Sequence, residues 1–125
     1  MKYNLEIIQE AGGQINRINA PAYGGMVDGG LELRYIFDGA DYKLIIKNGE
    51  MVQTRTGGIN LNMIFLRGKS TICRLSDGGN DGFFDIFTQS LSVEFKGGGC
   101  VAACEFSDGC GGEITRLTVT AEISA

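Results

Sequence analysis

The side chains that could do chemistry in this chain are few. They are four cysteines (Cys73, Cys100, Cys104, Cys110), two arginines on strand-like segments (Arg55, Arg116) and scattered carboxylates. Histidine is absent from all 125 residues. Its absence removes the Ser-His-Asp and Cys-His arrangements, in which an imidazole moves the proton. Paired carboxylates do acid-base work only where their surroundings drive their pKa values apart. Asp81 and Asp85 flank a glycine-aromatic step and read as a solvated loop and a strand end. The expectation is a protein that is not an enzyme and needs no cofactor.

The cysteines do not make a metal site by spacing. Cys100 and Cys104 lie four apart, which on a strand puts them on one face roughly 13 Å from each other. Cys104 and Cys110 straddle a turn. Zinc sites show close ligand pairs such as C-x2-C, and the chain has none. All four read as reduced, buried thiols that behave as small hydrophobes. The run from Asp77 to Gly82 looks like a calcium loop but lacks the alternating ligands and terminal glutamate of an EF-hand. The glycines at 57–58 and 97–99 are followed by neither Lys-Ser/Thr nor a helix, so they are not phosphate-cradling loops.

Arg55 carries the functional expectation. It shares a strand face with Met51 and Gln53, while Val52 and Thr54 share the other. If Met51 points into the protein, Arg55 does too, and a buried guanidinium calls for an anionic partner, from a carboxylate or from a ligand. Arg116 poses the same question near the end of the chain. Both are therefore expected to bind a small anionic ligand.

The elements that must position these residues are strands. Tyr3, Leu5 and Ile7 alternate with Asn4 and Glu6. Leu31, Leu33, Tyr35 and Phe37 share a face, as do Tyr42, Leu44 and Ile46, then Ile59, Leu61, Met63 and Phe65, then Leu91, Val93 and Phe95, then Cys100, Ala102, Cys104 and Phe106, and finally Leu117, Val119, Ala121 and Ile123. Residues 14–19 read as a weaker strand. Ala20 to Gly30, with Pro21 and four glycines, reads as the longest irregular segment. Phe83 to Thr88 is apolar on both faces and gives no orientation. Asn48-Gly49 is the strongest hairpin signal, because both residues tolerate the positive φ of a type I′ turn. No window shows a sustained period of 3.6. About ten short strands joined by tight turns predict an up-and-down antiparallel barrel, since closure removes the unpaired edges of an open sheet.

Length and composition fit one globular domain over 1–125. Twenty glycines are about twice the usual ~7% share and fall between apolar runs, as turn formers do. The net charge of −4 names no partner. Residues 34–74 carry seven bases and three acids, whereas 75–125 carry two bases and eight acids. This asymmetry predicts basic middle strands lying beside acidic late ones. Nucleic acid is not expected, because the acidic third would oppose it. Residues 1–10 lack the apolar core of a signal peptide, and no apolar run is long enough for a membrane helix. The chain reads as cytoplasmic. Ile36, Ile45, Ile64 and Ile72 fall on the nominally polar faces, and clustered they would make an outer patch suited to a homodimer.

From Leu31 to Ile123 the order of residues resembles the bacterial β-barrel family typified by YwiB. The pattern is Tyr35 ending a strand, a hairpin, then Ile45-Ile46. Arg55 and Gly57 follow, then Leu61, Met63 and Phe65 before Gly68, then Gly82, Ile86, Thr88 and Leu91. Asp108-Gly109 and a last strand through Leu117 and Val119 complete it. The family tends to place an aromatic in the strand before Gly82, where this chain has Ile72-Cys73-Arg74. The resemblance implies a calycin-like barrel and carries no activity with it. Such barrels hold ligands in the interior or mouth. The functional expectation is a small-molecule binding barrel, and the alternative is an interaction module with a filled interior and a dimer interface.

Overall fold

The computed structural model describes residues 1–109 and 111–124. Ten strands fill it: β1 (Lys2–Ala11), β2 (Gln14–Val27), β3 (Gly30–Phe37), β4 (Ala40–Lys47), β5 (Glu50–Thr56), β6 (Ile59–Leu66), β7 (Ser70–Asp77), β8 (Asn80–Lys96), β9 (Gly99–Asp108) and β10 (Thr115–Ile123). Each pairs antiparallel with its neighbour in sequence, and β1 pairs with β10 to close the barrel. The expected up-and-down closed barrel is the fold. We call the end holding the β1–β2, β3–β4, β5–β6, β7–β8 and β9–β10 connections the upper end.

Two-residue periodicity points alternate side chains inward. Tyr3, Leu5, Ile7, Leu31, Leu33, Leu44, Ile46, Met51, Phe65, Leu91, Ala102, Cys104 and Val119 are all buried there. Each large apolar side chain so buried stabilises the fold by roughly 1.5–3 kcal/mol. The register stacks this interior in rows. Leu31, Ile46, Met51 and Phe65 lie directly opposite one another across β3 to β6 at the lower end. Above them run Leu33, Leu44, Gln53 and Met63. The row above that continues from Tyr35 through Tyr42, Arg55, Leu61 and Leu75 to Gly82. Side chains thus change from fully apolar to mixed as β5 climbs.

Three local readings need correction. The segment from Ala20 to Gly30 is not irregular: β2 runs through Pro21, Gly24 and Gly25. Pairing with β3 begins only at Ala22, so at Pro21 the strand has a neighbour on one side alone, a position that tolerates proline. A Cβ at Gly24 would run into the Glu32 carbonyl oxygen, so this glycine permits close approach of β2 and β3 rather than a turn. Secondly, β8 is one strand of 17 residues with a bulge between Thr88 and Ser90. The extra residue shifts the phase by one. Ile86 and Thr88 face inward before it and Leu91 after it; 83–88 is apolar on both parities because Phe83 and Phe87 stand exposed on the outer wall. Thirdly, the hairpin at Asn48-Gly49 forms but without two left-handed residues, unlike Asp38-Gly39, at φ 51° and 76°, or the glycine pairs 12–13, 78–79 and 97–98. At Asn48-Gly49 only the glycine has positive φ.

The charge asymmetry also resolves differently from the expectation. In an up-and-down barrel, sequence neighbours are spatial neighbours, so basic and acidic segments form separate walls that adjoin at β7 and β8. Arg74 and Asp81 pair there at 3.0 Å. Other ion pairs are local: Lys43–Glu32 at 3.1 Å between β4 and β3, and Arg116–Glu105 at 3.0 Å between β10 and β9.

Candidate functional site

Met51 is completely buried, so its face of β5 is the interior face, and Arg55 enters the barrel. It does so at the upper end, one residue before the strand finishes. The guanidinium carbon lies 5.9 Å from the centroid of the Tyr42 ring, within cation–π range. Tyr42 in turn stacks on Tyr35, with ring centroids 4.9 Å apart and planes 5° from parallel. Gln53, two residues below Arg55 on the same face, donates from Nε2 to the Tyr35 hydroxyl at 3.2 Å. Burial pushes the Tyr35 phenol up to about 12, against the lowering effect of that hydrogen bond. β3, β4 and β5 therefore hold two stacked tyrosine rings with a cation beside the second.

That cation is incompletely satisfied. Arg55 Nε is buried and has no hydrogen-bond partner, and none of the ion pairs among the described residues includes Arg55. An unsatisfied buried donor costs about 1–3 kcal/mol, more when charged. Thr88 Oγ1, beside the β8 bulge, is the other buried polar side-chain atom without a partner among the described residues.

The row containing Arg55 opens as it crosses β7 and β8. Leu75 and Phe84 lie on the interior face, in step with buried Cys73 and Ile86, yet they are 40% and 37% exposed. Two features leave them uncovered. Gly82, directly opposite Leu75, contributes no side chain. β9 begins to pair with β8 only at Ile86, so the upper part of β8 has β7 alone beside it, apart from a 2.9 Å bond from Gly109 N to Asp85 O.

Arg55 and Arg116 do not converge. Arg116 alternates with inward Leu117 and sits on the outer wall, bound to Glu105. It takes no part in an interior site. Asp81 and Asp85 are also outer-wall residues, one either side of Phe83. A hydrogen bond from Ser76 and the Arg74 guanidinium hold the Asp81 carboxyl below its ordinary value. Cys73, Cys100 and Cys104 are free and buried, as expected of core thiols. Desolvation raises all three, to about 11 for Cys100 and, with help from Glu105, about 12 for Cys104. Cys110 lies outside the described residues. No group of three potential ligands that could hold a metal occurs among the described residues.

A concavity of about 650 Å³ lies beside the tyrosine stack, on the side of β2 to β5. Outward-facing Tyr23, Arg34, Ile36, Lys43 and Thr54 line most of it, and Tyr35 and Tyr42 reach it from the inner face. Both of its cations are already engaged by Glu32, at 3.1 Å and 3.9 Å. Size alone does not make it the better anion site. Sequence reasoning found Arg55 conditionally, through Met51. It missed Leu75 and Phe84, whose exposure depends on where β9 stops.

No family model and no curated protein matches the chain. Among solved structures, the YwiB protein from Bacillus subtilis superposes with a TM-score of 0.80 over 99% of this chain and 91% of that one, at 16% sequence identity. An identity that low carries the architecture and nothing chemical. The chain has the barrel fold of the YwiB protein, as the motifs between Leu31 and Ile123 anticipated.

Proposed function

We propose that this protein is a non-enzymatic barrel that binds a small anionic ligand at its upper mouth, with Arg55 as the residue that contacts the anion. The single observation behind this is the buried, unpartnered Arg55 Nε in a half-exposed side chain at the rim. A carboxylate, sulfonate or phosphate oxygen there would supply the charge-assisted hydrogen bond that the protein withholds. Arg55→Met keeps the stem and removes the charge. With sulfate and acetate as minimal probes, and chloride at matched ionic strength as reference, the melting temperature of the parent protein should rise while that of the variant stays level. Equal responses in both proteins overturn the reading. Native mass spectrometry of the parent protein reads any retained anion directly.

A second reading is favoured by a different observation. Ile45, Val52 and Ile64 lie directly opposite one another on the outer wall of β4, β5 and β6. That short apolar row suits a second copy of the chain, and sedimentation velocity with Val52→Lys tests it: loss of a dimer supports the interaction module, and a monomer in both proteins removes it. Three buried thiols fit a reducing compartment, and we place the protein in the cytoplasm on that ground. The outer wall carries Glu32, Arg34, Lys43, Arg74, Glu105 and Arg116, unlike the lipid-facing band of a membrane barrel.

A further inference from the structure

We infer that the ligand at Arg55 is amphipathic: an organic anion whose apolar body extends from the guanidinium across β6 to Leu75 and Phe84. This inference rests on the anion-binding reading above and adds the chemical class of the ligand.

The argument begins with the register. Arg55, Leu61 and Leu75 are consecutive partners across β5, β6 and β7. Two strand spacings separate Arg55 from Leu75, roughly 10 Å. All three lie on the interior face, and no other charged residue joins them along the row that ends at Gly82. A bare inorganic anion would engage the first and leave the other two wet. A ligand with one anionic group and an aromatic or branched body of about that length would cover all three.

The far wall supports the same class. Leu75 and Phe84 stay in phase with the core but keep more than a third of their surface exposed. Ordinary exposed apolar residues, such as Ile36 and Ile72, face outward and need no explanation. Inward-facing ones beside an opening offer a ligand apolar surface, and the concavity of about 320 Å³ that Arg55 and Leu61 line also takes in Arg74 and Ser76, the two residues that flank Leu75. Gly82 leaves room for such a body. A Cβ built there meets nothing nearer than the Leu75 carbonyl oxygen at 3.8 Å, and its φ is not in the left-handed region. A side chain is therefore sterically allowed at this position and would occupy the space a ligand needs.

The test uses two fluorescent probes that differ chiefly in charge: 8-anilinonaphthalene-1-sulfonate and the uncharged N-phenyl-1-naphthylamine. They are titrated into the full chain and into Arg55→Met and Gly82→Val, each first shown by thermal melting to be folded. The expected result is saturable sulfonate binding to the parent protein at one site. Arg55→Met should weaken the sulfonate about tenfold or more, as loss of a charge-assisted bond does, with much less effect on the neutral probe. Gly82→Val should weaken both probes by about fivefold or more, since it fills the apolar arm. If Arg55→Met abolishes sulfonate binding while Gly82→Val changes nothing, and methanesulfonate competes as well as the larger probe binds, the apolar arm is wrong and the anion site survives. Sulfonate binding that is absent, or unchanged in Arg55→Met, overturns both.

Discussion

The lower belt of the barrel and the upper rim of β5 to β8 are built from the same pleat, yet they are packed differently. Below, Leu31, Ile46, Met51 and Phe65 meet across four strands with no exposure beyond 1%. Above, the corresponding inward positions hold Arg55, Leu61, Leu75 and Gly82, and coverage fails. The difference lies in which neighbours remain, and not in local strand geometry. At the belt β3, β4 and β5 each have two neighbours, and Phe65 of β6, which pairs with β5 alone there, is covered by an edge-on contact with Phe106. At the rim, β8 loses β9 above Ile86, and a glycine replaces a side chain. Inwardness and burial are thus separate properties, and the rim is where they part.

The sharpest way to break this contrast uses two leucines that face the same interior. Leu33 is fully buried and Leu75 is 40% exposed. Leu33→Ala should cost about 2–5 kcal/mol, through lost transfer energy and a cavity. Leu75→Ala should cost less, roughly 1–2 kcal/mol, because its side chain is only partly buried and its loss opens no closed cavity. Urea denaturation of both variants reads the two values, and equal losses would mean that the rim is as well packed as the belt.

Titration sharpens the comparison next. Tyr35, at the foot of the rim stack, and Cys104, in the packed core, both have raised pKa values, to about 12 in each case. The folded chain therefore holds these protons more tightly than the unfolded chain, whose phenol and thiol release them nearer ~10 and ~8.5. This stability is fully present below those lower values and drains away as pH climbs toward 12. Tyr35 alone should account for at most roughly 3 kcal/mol of that loss. Urea midpoints measured from pH 8 to 12 should fall progressively, and Tyr35→Phe should flatten the part of the curve above pH 10. A flat profile in the parent protein would contradict the burial of both groups.

The smallest expected effect concerns the orphaned hydroxyl. Thr88→Val keeps the shape of the side chain and removes Oγ1, which has no partner. It should leave stability unchanged or raise it by about 1 kcal/mol. A loss beyond 1 kcal/mol in a thermal melt would show that the hydroxyl is satisfied after all, by water at the bulge.

Much of the belt was legible beforehand because alternation alone defines it: Tyr42, Leu44 and Ile46 announce their face by spacing. In β8 the face of Leu91, Val93 and Phe95 was legible, but 83–88 was not, because Phe83 and Phe87 put large apolar side chains on the outer wall, and the bulge that joins the two halves has no signature. β2 was misread for a related reason. Proline and paired glycines usually punctuate strands, and only the absence of a second neighbour at Pro21 and the closeness of β3 at Gly24 make them acceptable here. Arg55 could be placed inside once Met51 was known to be buried. The unpaired state of its Nε could not be foreseen, since it depends on what every other strand fails to supply. Arg116 shows the converse, because its outward phase and its Glu105 partner come from the register between β9 and β10.

Closure by β1 against β10 has a kinetic side. Nine of the ten seams join strands that a short turn already holds together, so they can zip locally. The tenth brings Tyr3 to Ile123 and must wait for a loop comprising almost the whole polypeptide to come round, with the entropy that entails. Until it does, β1 and β10 are two bare, ten- and nine-residue margins able to capture another chain's strand. Assembly at high concentration therefore races against that final joining, and the yield of refolded monomer should depend on dilution more than on temperature.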